Sequence, residues 1–530
     1  MQFVDIRELP ARALVLTDGW HRLEKAGDGF SGAGVDVLLQ REGEGTKVLL
    51  NAQTPVRAVA LRWDCDLTEP VRLMGDHWER AYGDMAWHGI VPDRYYPWYV
   101  LMNDGRVTHG YGVMTGCNAF CHFLVTGDSI DLVLDVRCGG EGVRLGSRTL
   151  HAATIVARRG SEGESAFSAG RALCRMMCPA PRLPAAPVYG SNNWYYAYGN
   201  SSHAEILGDT ALLSELTEGL ENRPFMVIDD GWQVEHNDLY NGGPWDRGNA
   251  DFPDMAQLAG EIRARGARPG IWMRPLFYHQ EQYRPLILLN GVGRGDTPCL
   301  DPTIPEAMQI VREDVARIAA WGYTLIKHDF STFDLLGRWG REQAMFGVTG
   351  GGWTFHDQSV TTAEVVLQLY RTIREAAGSA YIIGCNTFSH LSAGLFELER
   401  TGDDTSGRDW RRTKKYGVNT VAFRAIQHDT FYAADGDCVG LTNDVPWELN
   451  RQWLTLLARS GTPLFVSADP KAMGAEQKKA VREAYAIASQ PQPLGEPLDW
   501  MDNTCPKLWK FGADTVQFRW TDESAVESDF

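Results

Sequence analysis

The strongest constraint on this chain is a series of short, mostly apolar runs between residues 225 and 469, each stopping abruptly at polar or charged residues. Phe225-Met226-Val227-Ile228 runs into Asp229-Asp230, Gly270-Ile271-Trp272-Met273 into Arg274, and Thr324-Leu325-Ile326 into Lys327-His328-Asp329. Tyr381-Ile382-Ile383 runs into Gly384-Cys385-Asn386, Leu395-Phe396-Glu397-Leu398 into Arg400 and Asp403-Asp404, and Leu464-Phe465-Val466 into Ser467 and Asp469. Strands buried on both faces read as such runs. Helix-like segments lie between them, at 202–220, 254–265, 305–321, 361–377 and 447–459; the third has Pro305 in its first turn and Gly322 just past its end, the expected asymmetry. Alternating strands and helices predict a (β/α)8 barrel over residues 188–484, its first strand near Tyr189–Trp194 and its seventh near Phe431–Asp437. The interval between the fifth and sixth strands is short, so the helix there is expected to be missing or irregular. The C-terminal strand ends of such a barrel meet on one face, so the polar residues that stop the runs predict one pocket.

The rest of the chain has a different grain. Residues 1–160 predict an N-terminal β-sandwich, with strands at Ala13–Leu16, Val35–Leu39, Val56–Leu61, His122–Val125 and Ile130–Leu134 separated by turn residues. Residues 161–187 read as a helix at 165–178 followed by a linker, because the four prolines between Pro179 and Pro187 cannot continue it. Residues 485–530 predict a small C-terminal β unit, with Glu523–Phe530 expected to fray. The stretch Ser331–Ser359 is expected to be a long functional loop.

A net charge of −17, from 51 basic and 68 acidic residues, disfavours nucleic acid or an anionic membrane as partner. No run approaches the ~18 apolar residues of a membrane span. Met1–Glu8 lacks a basic start and an apolar core, so a cytoplasmic protein is expected. A homo-oligomer is compatible with the sequence. Cys117 and Cys121, like Cys174 and Cys178, stand four apart, but nothing completes a metal site, and reduced buried thiols are the plainer reading. No metal or cofactor is expected.

Asp329 ends the predicted fourth strand and Asp404 follows the predicted sixth, which in a barrel sets them across one pocket. Paired carboxylates suit glycoside cleavage, one attacking the anomeric carbon or organising a water and the other protonating the leaving oxygen. Each could instead cap a helix, but capping does not call for Lys327 two residues before Asp329 or Arg400 four before Asp404. Lys327 would hold sugar hydroxyls and keep Asp329 ionised. Asp229 and Asp230, with Gly231 letting the chain turn, would accept from hydroxyls, while Trp232 offers an apolar face; a surface turn is the alternative. Aromatic clusters at Arg94–Tyr99 and Asn193–Tyr198 fit either sugar stacking or interdomain packing. Cys385 reads as a neutral thiol in the pocket floor, with His390 the nearest base if it were a nucleophile. Alternation turns His328 away from Asp329.

The strand ends, in order, resemble glycoside hydrolase family 36. The resemblance rests on Val227-Ile228-Asp229-Asp230-Gly231-Trp232-Gln233, Ile326-Lys327-His328-Asp329, Gly384-Cys385-Asn386 and Arg400-Thr401-Gly402-Asp403-Asp404-Thr405, with Gly461-Thr462-Pro463-Leu464-Phe465-Val466-Ser467 similar to the raffinose-synthase branch. It implies a retaining α-galactosidase in which Asp329 is the nucleophile and Asp404 the acid/base, with Asp403 the competitor for that role. It further implies that Asp229 and Asp230 bind the 4- and 6-hydroxyls, that Lys327 and Arg400 bind the sugar, that Trp272 walls the subsite and that Cys385 lies near the 2-position. Arg274 and the run Asn386-Thr387-Phe388-Ser389-His390 depart from the family pattern, and with His328 they leave room for a 2-acetamido, acidic or otherwise modified sugar. The alternatives are an α-N-acetylgalactosaminidase, an α-galactosyl transferase, a noncatalytic sugar-binding protein and, more distantly, a metal-dependent barrel enzyme.

Overall fold

The computed structural model describes residues 1–67, 70–237, 239–288, 294–295 and 297–521. The expected fraying of Glu523–Phe530 lies outside them. The apolar runs form one parallel sheet: β1 (Tyr189–Asn192), β2 (Phe225–Ile228), β3 (Arg268–Met273), β4 (Leu325–His328), β5 (Tyr381–Gly384), β6 (Leu398–Arg400), β7 (Ala433–Asp435), β8 (Cys438–Leu441) and β9 (Leu464–Ala468). Its spatial order is β7-β6-β5-β4-β3-β2-β1-β9-β8. The edge strands β7 and β8 are consecutive pieces of one run of chain, separated only by Gly436 and Asp437, so the sheet must curl until its edges meet.

A compact apolar cluster fills the inside of that curl. Phe225, Val227, Leu325, Ile383, Leu398, Ala433, Cys438 and Phe465 all belong to it. The one strand between β1 and β9 in chain order that adds no side chain is β3, which has Gly270 at this level, where a Cβ would lie 2.9 Å from the Val227 side chain. The flanking helices follow their end signals. Pro305–Ala320 starts on its proline and stops before Gly322 at φ 102°, and Thr362–Ala376 begins with a Thr361/Glu364 capping box. Only a four-residue helix, Ser389–Ser392, lies between β5 and β6, as the short interval implied. The stretch after β4 differs from the loop expected there. It contains helices Ser331–Leu336 and Gly340–Phe346, because buried Leu335 and Leu336 give it a packing face of its own.

The first 158 residues build two antiparallel sheets of six and eight strands. Alternation along Val35–Glu42, buried at Val35, Val37 and Leu39 and exposed between, is the mark of a half-buried strand. The helix after them spans Ala166–Met177. At the other end Glu496–Pro497, Leu508–Phe511 and Asp514–Gln517 form a three-stranded sheet. Among the described residues, no helix is long and apolar enough to cross a membrane.

Candidate active site

Side chains alternate along a strand, so the residues two further on from the inner apolar layer continue the inside of the curl. Val227 leads to Asp229, Leu325 to Lys327 and Asp329, Gly270 to Trp272 and Arg274, Ile383 to Cys385, and Leu398 to Arg400. The polar stops of β2 to β6 thus form the layer above an apolar plug, whereas Asp469, after β9, caps the turn at Pro470–Ala472 and lies apart from them.

Asp329 is buried and firmly held. Trp272 Nε1 donates to its Oδ2 at 2.9 Å, Asn386 Nδ2 to its Oδ1 at 2.5 Å and the Phe330 amide to the same oxygen at 2.7 Å. Phe330 sits at φ 65°, a left-handed conformation uncommon for a bulky residue. It turns the chain so that its N–H meets the carboxylate. Burial alone would raise the Asp329 pKa, but the charges of Lys327 and Arg80 and the Trp272 and Asn386 hydrogen bonds outweigh it and bring it down to about 2. The group is an anion across the ordinary pH range.

Lys327 Nζ lies 2.8 Å from Asp229 Oδ2, which also receives Asn192 Nδ2 at 2.6 Å. Burial works against the ammonium, but Asp229 raises its pKa well above the usual lysine range. Asp230 accepts from Gln233 Nε2 at 2.7 Å and Asn241 Nδ2 at 2.8 Å, and burial raises its pKa despite these donors.

Three sequence expectations need correction here. Trp232 has no exposed surface; it packs against Trp245 and Trp321 and donates to the Trp272 carbonyl at 2.9 Å, so it supports the wall without offering a face to a ligand. Arg274 is committed to protein: Nε and Nη2 donate to buried Asp334 at 2.5–3.1 Å and Nη1 to Asn241 Oδ1 at 2.6 Å. Its guanidinium carbon lies 3.8 and 4.2 Å from the ring centres of Phe277 and Phe330. It is a neutralised buried pair that braces Asn241, not a free cation awaiting an acidic sugar. His328 points outward between Tyr370 and Phe396, and burial pushes its pKa down to about 3, so it too is no cation.

Cys385 is buried, and its Sγ accepts from Arg80 Nη1 and Arg400 Nη1, each at 3.6 Å. Burial and the Asp329 charge raise its pKa well above the normal thiol range despite these cations. His390 does not serve it as a base; the imidazole stacks on Trp98, its Nε2 3.1 Å from the Met114 carbonyl oxygen. Asn386 has a clear place, through its bond to Asp329. Arg400 Nη2 lies 2.7 Å from Asp437 and 3.4 Å from Asp404. Asp403 and Asp404 follow β6, and Arg80 reaches both: Nη2 is 2.7 Å from Asp403 Oδ1 and Nη1 3.2 Å from Asp404 Oδ1. The Asp404 side chain is 37% exposed against 18% for Asp403. Burial raises the Asp404 pKa and the cations Arg80, Arg400 and Lys327 pull it down further, the net direction being downward.

Sequence reasoning missed Arg80, Asn192, Asn241, Asp334 and the role of Asp437. Asp437 had a signal, as it ends the seventh predicted strand. At φ 71° it breaks that strand in two and gathers Tyr195 Oη, Thr405 Oγ1 and Arg400. Tyr195 belonged to an aromatic cluster that fitted two roles; its hydroxyl, at least, serves the site. The other cluster packs between the N-terminal sheets and the β5 exit through Trp98 and His390. All ten cysteines are free. Among the described residues, no group of three or more His, Cys, Asp or Glu is arranged to hold a metal ion.

The sequence matches no protein-family profile, but the fold is shared with solved structures. An α-galactosidase from Thermus thermophilus in complex with p-nitrophenyl α-D-galactopyranoside is 18% identical, with a TM-score of 0.62 over 91% of this chain and 96% of that one. A glycoside hydrolase family 36 α-galactosidase from Geobacillus stearothermophilus is 14% identical, with a TM-score of 0.60 over 96% of this chain and 75% of that one. An α-galactosidase from Lactobacillus brevis is 14% identical, with a TM-score of 0.58 over 92% and 69%. At these identities the likeness is one of fold.

Proposed function

We propose that this chain is a retaining α-glycosidase of the family 36 kind that hydrolyses terminal α-galactosides. In this reading the curled sheet is the (β/α)8 barrel of residues 188–484, the sheets of residues 1–160 a β-sandwich, 161–187 their connection and 485–530 a small β unit. The observation that carries the proposal is the state of Asp329. An inward carboxylate, braced by Trp272, Asn386 and the Phe330 amide and kept ionised by Lys327 and Arg80, has what a nucleophile needs: a fixed direction and a negative charge. The fold shared with α-galactosidases supports the choice of substrate.

Asp329 attacks the anomeric carbon while Asp404 gives its proton to the leaving oxygen. The bond to the aglycone breaks and a glycosyl ester forms on Asp329. Water, losing a proton to Asp404, then releases the sugar with its anomeric configuration retained. Asp404 suits the acid/base role better than Asp403. It is the more open of the two and feels both Lys327 and Asp329 electrostatically, whereas Asp403 is turned toward Arg80 and Arg412. The Asp329 charge raises the Asp404 pKa; esterification removes that charge, so Asp404 holds a proton less tightly and stands ionised as the base for the second step. Because its pKa is depressed in the free protein, the protonated fraction is lost as pH rises, and kcat/KM is expected to be highest on the acid side of neutrality. Asp229, Asp230, Lys327 and Arg400 grip the hydroxyls, Trp272 walls the subsite, and Cys385 and Asn386 border the nucleophile.

The test is hydrolysis of p-nitrophenyl α-D-galactopyranoside with the first product's anomer followed by NMR. Release of α-galactose as the first sugar supports the proposal. Release of the β-anomer, or binding without turnover across aryl α-glycosides varied at C2, C4 and C6, sinks it.

A further inference from the structure

We propose that Arg80 is a positioning residue of this site, delivered from the segment that follows the N-terminal sheet strand Arg72–Gly75, and that it clamps Asp403 and Asp404 so that the Asp404 carboxyl is fixed in place beside Arg400 and Cys385. The functional consequence rests on the reading of Asp404 above; the clamp itself does not.

The segment Asp76–Tyr82 is irregular, yet it is anchored at almost every residue. Asp76 receives Arg424 Nε at 2.8 Å and Gln427 Nε2 at 2.8 Å. The Glu79 carbonyl accepts from Arg424 Nη2, and the Glu79 carboxylate accepts from Tyr82 Oη, Thr332 Oγ1 and, at 2.9 Å, the Gly340 amide. Gly340 has to be glycine for this, since a Cβ there would lie 2.4 Å from Glu79 Cγ. Ala81 pairs in parallel with Gly402: its amide donates to the Thr401 carbonyl at 3.0 Å, and the Asp403 amide to the Ala81 carbonyl at 2.9 Å. The segment therefore lies along the exit of β6 as an added strand one residue wide, directly beside the paired aspartates.

Arg80 leaves this anchored backbone with a side chain only 6% exposed and divides its fork: Nη2 to Asp403, Nη1 to Asp404 and Cys385. A planar, always charged guanidinium is suited to such bridging, and a lysine is not its equal. The charged groups around Asp404 come from every neighbouring element. Arg400 stands on β6, with Asp437 behind it at the β7–β8 break; Lys327 and Asp329 stand at the end of β4. Asp403 is adjacent in the chain, Tyr195 follows β1, and Arg412 reaches the Asp404 backbone carbonyl at 3.1 Å. Of the cations, Arg400 is turned mainly to Asp437 and Lys327 to Asp229, which leaves Arg80 the closest positive charge on Asp404.

The test uses the full chain. Carbodiimide activates the protonated carboxyl, so coupling of glycine ethyl ester at Asp404, read by peptide mass spectrometry across pH, gives the pH of half-labelling without any turnover. Arg80→Met is expected to move that pH up by about one unit or more, Arg80→Lys to keep it nearer the wild-type position, and Asp403→Asn, which frees the fork for Asp404, to move it down. An unchanged half-labelling pH in Arg80→Met overturns the clamp. If that variant does not fold, an unchanged value in Asp403→Asn does so. In turnover, Arg80→Met should carry the alkaline limb of kcat/KM upward by the same interval, whereas a loss equal at all pH values marks a merely structural arginine. If the wild type hydrolyses no α-galactoside, the reading of function fails while the labelling result still decides the clamp.

Discussion

The strand-borne floor of the site and the clamp beside it place their charged side chains by opposite means. The floor comes from strands with a period of two: an apolar inner residue, then two positions on a polar one, as in Leu325, Lys327 and Asp329. The clamp comes from a segment with no period at all, held by hydrogen bonds to Arg424, Thr332, Gly340, Thr401 and Asp403. A periodic backbone places side chains by geometry alone, whereas an aperiodic one places them only as well as its anchors hold.

The largest expected effect falls on the floor. Asp329→Ala should abolish turnover and remove covalent trapping by an activated fluorosugar, seen as a missing mass increase. Asp404→Ala should keep trapping and lose about 10²–10⁴-fold in kcat/KM on a disaccharide, with a smaller loss on a p-nitrophenyl glycoside, whose leaving group asks less of an acid. If Asp403→Ala instead gave that pattern, the register of the paired aspartates would shift by one.

The next effect falls on the clamp's anchor. Asp76 and Arg424 are an almost fully buried ion pair, and leaving one partner unpaired costs about 3–5 kcal/mol. Asp76→Ala should therefore lower the free energy of unfolding by about that much in a denaturant titration. Arg274→Ala, which strands buried Asp334, should cost about as much while leaving the preference among sugars modified at C2 unaltered. A change in that preference would restore Arg274 as a specificity residue.

The same contrast explains what the sequence could reveal. Helix bounds such as 305–321 against Pro305–Ala320, and the strands ending in Asp229 and Asp329, were legible because hydrophobic period and end signals are local. Asp437 was half legible: its position as a strand end could be seen, but not the break it makes. Trp232 was misjudged because type suggests stacking while burial decides it. Arg274 was misjudged because its neutralising partner, Asp334, lies sixty residues away in an unpredicted helix. Arg80 was invisible, since nothing near Trp78-Glu79-Arg80 signals a segment that docks on Gly402, more than three hundred residues further along. Partnerships at that distance have no local signature.

The smallest effect tests the period itself. His328 lies between Lys327 and Asp329, and alternation puts it outside the curl, packed on Tyr370 and Phe396. Burial, only partly opposed by the Asp329 charge, takes its pKa to about 3, against about 6.5 in an unfolded chain. Between those values the unfolded chain binds a proton that the folded one excludes, so stability falls as pH falls through that window. His328→Leu removes this proton uptake. The loss of Tm between about pH 6.5 and pH 3 should become shallower in the variant, with the two proteins closest above neutrality, where the imidazole is uncharged in both states. Since the side chain faces away from the pocket, kcat/KM at neutral pH should change little. Parallel Tm curves would mean the imidazole already carries its proton in the fold. A large loss of kcat/KM with an unaltered Tm would mean it faces inward, and the strict alternation along β4 would then be broken at the residue before Asp329.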